Sequence, residues 1–69
     1  MSKLSERLLA LRKERKINQE DLVAEIGLSV RTYRRYEIGE REPTASTLWK
    51  IADFYGVSVD YLIGRSDTK

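Results

Sequence analysis

The sequence contains no cysteine and no histidine. The first absence rules out a disulfide framework and thiolate chemistry; the second removes the commonest general base near neutral pH and a frequent metal ligand. No apolar stretch approaches the roughly 20 residues that a membrane-spanning helix needs. The first residues meet charge at Lys3, Glu6 and Arg7 before any apolar run develops, so no signal-peptide core is expected. Together these absences predict a soluble protein of a reducing, cytoplasmic compartment. They also predict a protein with no cofactor and no metal.

What is present is 69 residues, 41% hydrophobic and 35% charged, which predicts one small globular domain with no room for a second. A chain of this size has too little surface to enclose a deep substrate cleft, so an enzyme is disfavoured and function is expected on the exterior. Thirteen Lys and Arg against eleven Asp and Glu give a net charge of only +2. Any preference for a polyanion must then come from where the charges sit.

The apolar spacing predicts five helices. Leu4, Leu8 and Leu11 recur at helical intervals between Ser2, a candidate N-cap, and the basic run Arg12, Lys13, Arg15, Lys16, which suits a helix C-terminus. Asn18 is positioned to cap a second helix carrying Leu22, Val23 and Ile26 inward and stopping at Gly27. Ser29 caps the next helix almost at once, the tight connection expected of a helix-turn-helix. That third helix is expected from Val30 to about Ile38 and to terminate at Gly39, a residue free to adopt positive φ. Thr44 should cap a fourth, with Leu48, Ile51, Ala52 and Tyr55 on one face, and Ser58 a short fifth through Val59, Leu62 and Ile63. Residues 1–64 are read as the domain. Residues 65–69 lack apolar periodicity and are expected to be a flexible tail or a piece of linker.

Placed on a wheel at about 100° per residue, the third helix sends Tyr33 and Tyr36 to one side and gathers Arg31, Arg34, Arg35 and Ile38 on the other. From Ile26 through Tyr36 there is no acidic residue, so the near-neutral total conceals a local cationic stripe. Arginine suits such a surface because its planar fork grips guanine edges or phosphate and never loses its charge. An arginine-rich face is often only a solvated one. Its place on the second helix of a helix-turn-helix favours contact with DNA.

Several segments, in order, carry a family resemblance: Asn18-Gln19-Glu20-Asp21-Leu22, Ile26-Gly27-Leu28-Ser29, Arg35-Tyr36-Glu37 with Gly39, Arg41-Glu42-Pro43, and Gly56-Val57-Ser58-Val59-Asp60-Tyr61-Leu62. Through them the chain resembles the Cro- and lambda-repressor-type, or Xre-like, helix-turn-helix proteins over nearly its whole length. The resemblance implies an all-α, compact five-helix lambda-repressor-like domain in which helices 2 and 3 form the helix-turn-helix. It further implies a cytoplasmic regulator of a bacterium or phage-infected cell that binds a double-stranded DNA operator, commonly as a homodimer, and represses.

Residue by residue, the resemblance assigns base reading to Val30, Arg31 and Arg35. Asn18, Gln19, Thr32, Arg34 and Arg41 flank them or hold phosphate, and Arg12 pairs with Glu37 in a structural salt bridge. Val30 can only touch a thymine methyl or act as a spacer. Glu40 and Glu42 beside Arg41 would repel the DNA backbone, so that loop should contribute less than usual. Departures from the pattern are Val23 where Ala is usual, Tyr33 where Ile or Val is usual, and Lys16 where Gly is frequent. Tyr33 could be a core aromatic or could bring its hydroxyl to the rim near a phosphate.

Tyr61 and Ile63 are candidates for a homodimer contact, and Trp49 and Phe54 flank the inner stripe of the fourth helix. A second reading keeps the fold and gives the exposed face to a protein partner, as in an antitoxin or antirepressor-type module. An enzymatic reading is the weakest, since nothing nucleophilic or metal-binding surrounds Glu37 or Glu42.

Overall fold

A computed structural model describes residues 2–69. The chain forms α1 (Lys3–Arg15), α2 (Gln19–Ile26), α3 (Val30–Glu37), α4 (Ala45–Tyr55) and α5 (Val59–Ile63), with no strand among the described residues. Each helix starts where a short polar side chain can satisfy an orphan N–H. Ser2, Asn18, Ser29, Thr44 and Ser58 all have extended backbones and accept a hydrogen bond from the amide three residues on.

The α2–α3 turn is set by Gly27, whose φ of 75° lets the amides of Gly27 and Leu28 both return to the Val23 carbonyl, at 2.8 and 3.1 Å. Lys16 adopts the same left-handed conformation at the end of α1, with φ 55°, although it carries a Cβ. The third helix ends where expected: Ile38 is its cap at φ −93° and ψ 1°, and Gly39 follows at φ 79°. The Glu40 amide reaches back to the Arg35 carbonyl and tightens the exit there.

α3 packs on α1 and α2, α4 on α2, and α5 on both α1 and α4. Their shared core holds Leu8 and Leu11 from α1, Leu22, Val23 and Ile26 from α2, Ile51, Ala52 and Tyr55 from α4, and Leu62 from α5. Each Leu, Ile or Val among them contributes roughly 1.5–3 kcal/mol on leaving water, and no disulfide assists them. The inner face of α3 supplies Tyr33 and Tyr36, whose rings meet edge to face at 6.4 Å. Tyr33 is fully enclosed, hydroxyl included, so it is a core aromatic and does not reach a phosphate. With Tyr33 and Tyr36 turned in, the opposite side of α3 is left to solvent.

Residues 65–69 form no helix and return along α1. Arg7, nearly buried, donates to the Tyr61 and Ser66 carbonyls at 2.5 and 2.6 Å and pairs with Asp67 at 2.8 Å. The Ser58 amide donates to the Lys69 carbonyl at 2.8 Å.

Candidate nucleic-acid interface

The outward face of α3 carries Arg31 and Arg34, both exposed, with Arg35 and Thr32 half-buried beside them. Ser29 holds the start of this helix in place. Its hydroxyl accepts from the Thr32 amide at 3.1 Å and donates to the Thr32 hydroxyl at 2.9 Å, which leaves the Thr32 proton free for an outside acceptor. Val30 is half-buried and packs against the core.

Beside this face lies an open cleft lined by Arg12, Asn18, Gln19, Glu20, Val30 and Arg34. The fold thereby brings Asn18 and Gln19, at the start of α2, next to Arg34 on α3. Asn18 Oδ1 accepts from the Asp21 amide at 2.8 Å, while the amides of Gln19 and Glu20 have no partner within their own helix. Arg31 and Arg35 do not line this cleft, and Arg41 is exposed in the α3–α4 loop between Glu40 and Glu42. The site therefore has two parts: a cationic helix face, and a polar notch at the α2 N-terminus.

Behind the notch is an ion pair. Glu37, 5% exposed, accepts from Arg12 Nε at 2.7 Å and Nη2 at 3.1 Å. Burial is the largest single influence on Glu37 and by itself would raise its pKa, but the hydrogen bonds it accepts, that from Arg12 foremost, together with the Arg12 charge outweigh it and hold the carboxyl below its ordinary range. Arg12 Nη1 also donates to the Ile17 carbonyl at 3.2 Å, and Gln19 Nε2 donates to Glu37 Oε1 at 3.1 Å. The Tyr33 and Tyr55 hydroxyls are buried without a hydrogen-bond partner, and burial, then the charge of Glu37, pushes Tyr55 up to about 12.

Sequence reading missed three of these contacts. The Gln19–Glu37 hydrogen bond joins two residues that had been given separate roles. Arg15 donates to the Tyr55 carbonyl at 2.6 Å, and Arg7 lies over the Tyr61 ring at 4.0 Å while holding the tail. For Arg7 a signal did exist: it sits between Leu4, Leu8 and Leu11, on the apolar side of α1, where a fully solvated arginine would be out of place.

Away from the cationic face, Ile63 is 37% exposed and lines a shallow groove with Leu4, Pro43 and Leu48, edged by Lys3 and Glu42. Tyr61 is half-buried, and one face of its ring is covered by Arg7. Trp49 is exposed, whereas Phe54 packs edge to face on Tyr55 at 5.1 Å. Among the described residues, no helix is long and apolar enough to cross a membrane, and no group of three or more acidic side chains is placed to hold a metal ion.

A helix-turn-helix family model matches residues 8–62. The chain is 41% identical over 64 residues to the "Cryptic phage CTXphi transcriptional repressor RstR" of Vibrio cholerae, covering 93% of this chain and 58% of that protein. A second protein of the same name, from Vibrio cholerae serotype O1, is 44% identical over 63 residues, 91% of this chain and 56% of the relative. The "Uncharacterized HTH-type transcriptional regulator YqaE" of Bacillus subtilis is 39% identical over 66 residues, with coverage of 94% and 57%. The chain thus spans somewhat over half the length of these relatives.

Proposed function

The chain belongs to this helix-turn-helix family, and we propose that it is a sequence-specific double-stranded DNA-binding transcriptional regulator that represses by occupying an operator. The observation that carries the reading is the outward face of α3, where Arg31, Arg34 and Arg35 stand with no acidic residue from Gly27 to Tyr36. Eight residues of helix extend about 12 Å, a length that fits across a major groove about 12 Å wide.

In this reading Arg31 and Arg35 donate paired hydrogen bonds to base edges, and Thr32 and Arg34 reach the flanking phosphates. Asn18 and Gln19 clamp the backbone at the α2 N-terminus, where the helix dipole favours an anion. Arg41 adds one contact from a loop weakened by Glu40 and Glu42. One such helix reads only a few base pairs. Two-fold pairing of domains, with half-sites about 34 Å apart, would supply the rest of the affinity. Ile63, with Tyr61 beside it, is the proposed centre of that homodimer contact. The Vibrio relatives are named as transcriptional repressors, which supports repression.

Site selection from random duplex DNA at about 0.15 M salt, with the stoichiometry of the selected complex, tests the reading. Enrichment of a short inverted repeat bound by two chains is the expected result. Weak, salt-sensitive binding without enrichment would overturn it and leave the cationic face to a protein partner.

A further inference from the structure

We propose that Glu37, at the end of the reading helix, is the positioning residue of the phosphate clamp: it fixes which end of the Gln19 amide faces the DNA. The inference rests on the DNA-binding reading above.

Gln19 is the first residue of α2, and a glutamine there is normally free to sample many rotamers. Here its Nε2 donates to Glu37 Oε1 at 3.1 Å. That anchor cannot itself turn, because Arg12 holds both carboxylate oxygens, at 2.7 and 3.1 Å. Arg12 also donates to the carbonyl of Ile17, two residues before Gln19, so the same guanidinium steadies the chain entering α2 and the group that Gln19 leans on.

An ionised carboxylate only accepts hydrogen bonds, so it admits the NH2 end of the Gln19 amide and excludes the carbonyl end. One amide N–H is then spent inward on Glu37. The other is left to donate into the notch that Asn18 and Arg34 also line, where a phosphate oxygen needs donors. A carboxylate behind an anion site would ordinarily repel the anion. Arg12 neutralises it at contact distance, which makes the ion pair compatible with a clamp as well as with stability. Glutamine at position 37 would have nearly the same shape but could present either a donor or an acceptor to Gln19, and the orientation would no longer be specified.

The test replaces single phosphates of the selected duplex by uncharged methylphosphonates and measures binding to the wild type, Gln19→Ala and Glu37→Gln, each checked for folding by circular dichroism. In the wild type, one replacement per bound domain should weaken binding about tenfold, as expected for the loss of a charge-assisted hydrogen bond. The same replacement should cost clearly less in both variants, with base preference and the effect of every other phosphate unchanged. A full loss at that phosphate in folded Glu37→Gln would overturn the proposal while leaving the DNA-binding reading intact. A wild type with no sensitive phosphate would overturn that reading and the clamp together. If Glu37→Gln does not fold, NMR of the free wild type decides: a single Gln19 rotamer with cross-peaks from its amide protons to the Glu37 methylenes is expected, and rotamer averaging would overturn the inference.

Discussion

Arg12 and Glu37, 25 residues apart in sequence, meet in a two-point ion pair that joins α1 to the end of α3. Glu37 is 5% exposed and Arg12 17%, so removing the arginine leaves a carboxylate that water can barely reach. Arg12→Ala is expected to destabilise the domain by about 3 kcal/mol, a large share of what a domain this size possesses. Thermal unfolding should show a midpoint lowered by roughly 12 °C or more. A midpoint within a few degrees of wild type would mean that the pair contributes little.

The same pair gives stability a defined pH dependence. Burial opposes ionisation of Glu37 more than any one partner favours it, but the hydrogen bonds from Arg12 and Gln19 and the Arg12 charge prevail together, and the folded pKa lies below the ordinary value of 4.5. A carboxyl depressed on folding contributes stability that is complete above its unfolded pKa and is lost as pH falls through the folded one. The stability difference between wild type and Glu37→Gln should therefore be constant near neutrality and shrink below about pH 4.5. Urea unfolding across that range measures it, and a difference independent of pH would contradict the assigned shift.

The left-handed Lys16 yields a prediction of opposite sign. With φ at 55° its Cβ is strained against its own backbone, and the residue is exposed, so little else is lost when the side chain is removed. Lys16→Gly should stabilise the domain, by at most about 1 kcal/mol because glycine also loosens the unfolded chain. Equilibrium unfolding of the variant checks the direction.

Those features differ in how far they could be read before the fold was known. The five N-caps were legible because each depends on one side chain and an amide three residues on, chemistry that a linear sequence displays. The left-handed turn at Gly27 was legible for the same reason. Tyr33 was not, since the choice between rim and core for its hydroxyl depends on how α1 and α2 close over it. Nor was the Gln19–Glu37 contact, which exists only once α2 and α3 are docked. Arg7 shows the limit most plainly: its partners lie 54 to 60 residues away. Gly39 was legible as the stop of α3 for the same reason as Gly27: its positive φ lets its own amide and that of Glu40 return to the carbonyls of Tyr36 and Arg35.

Readers and clamps should separate in mutant binding. Arg35→Ala should lose about 1–3 kcal/mol on the selected site and relax preference at one base position. Gln19→Ala should weaken all sequences evenly and leave the salt slope unchanged, because the glutamine carries no charge. Competition binding against single-base variants of the site distinguishes them. An equal loss on every sequence for Arg35→Ala would remove it from the readers.

Ile63 offers the sharpest test of assembly. It is an aliphatic side chain 37% exposed at the end of α5, over a groove floored by Leu4, Pro43 and Leu48, with Lys3 and Glu42 at its edges. A two-fold axis through such a patch would bury Ile63 against its own copy and allow Lys3 of one chain to face Glu42 of the other, which is the self-complementarity an isologous contact requires. Tyr61 is less available, because Arg7 already covers its ring. Ile63→Asp places a charge at the centre of that patch without touching the buried core, so the fold should persist while the dimer on DNA is lost. Sedimentation of the complex with the selected duplex should change from two chains to one, and affinity for the full inverted repeat should fall toward that for a half-site. A wild-type complex holding a single chain on its full operator would exclude the dimer and leave α3 to read its site alone.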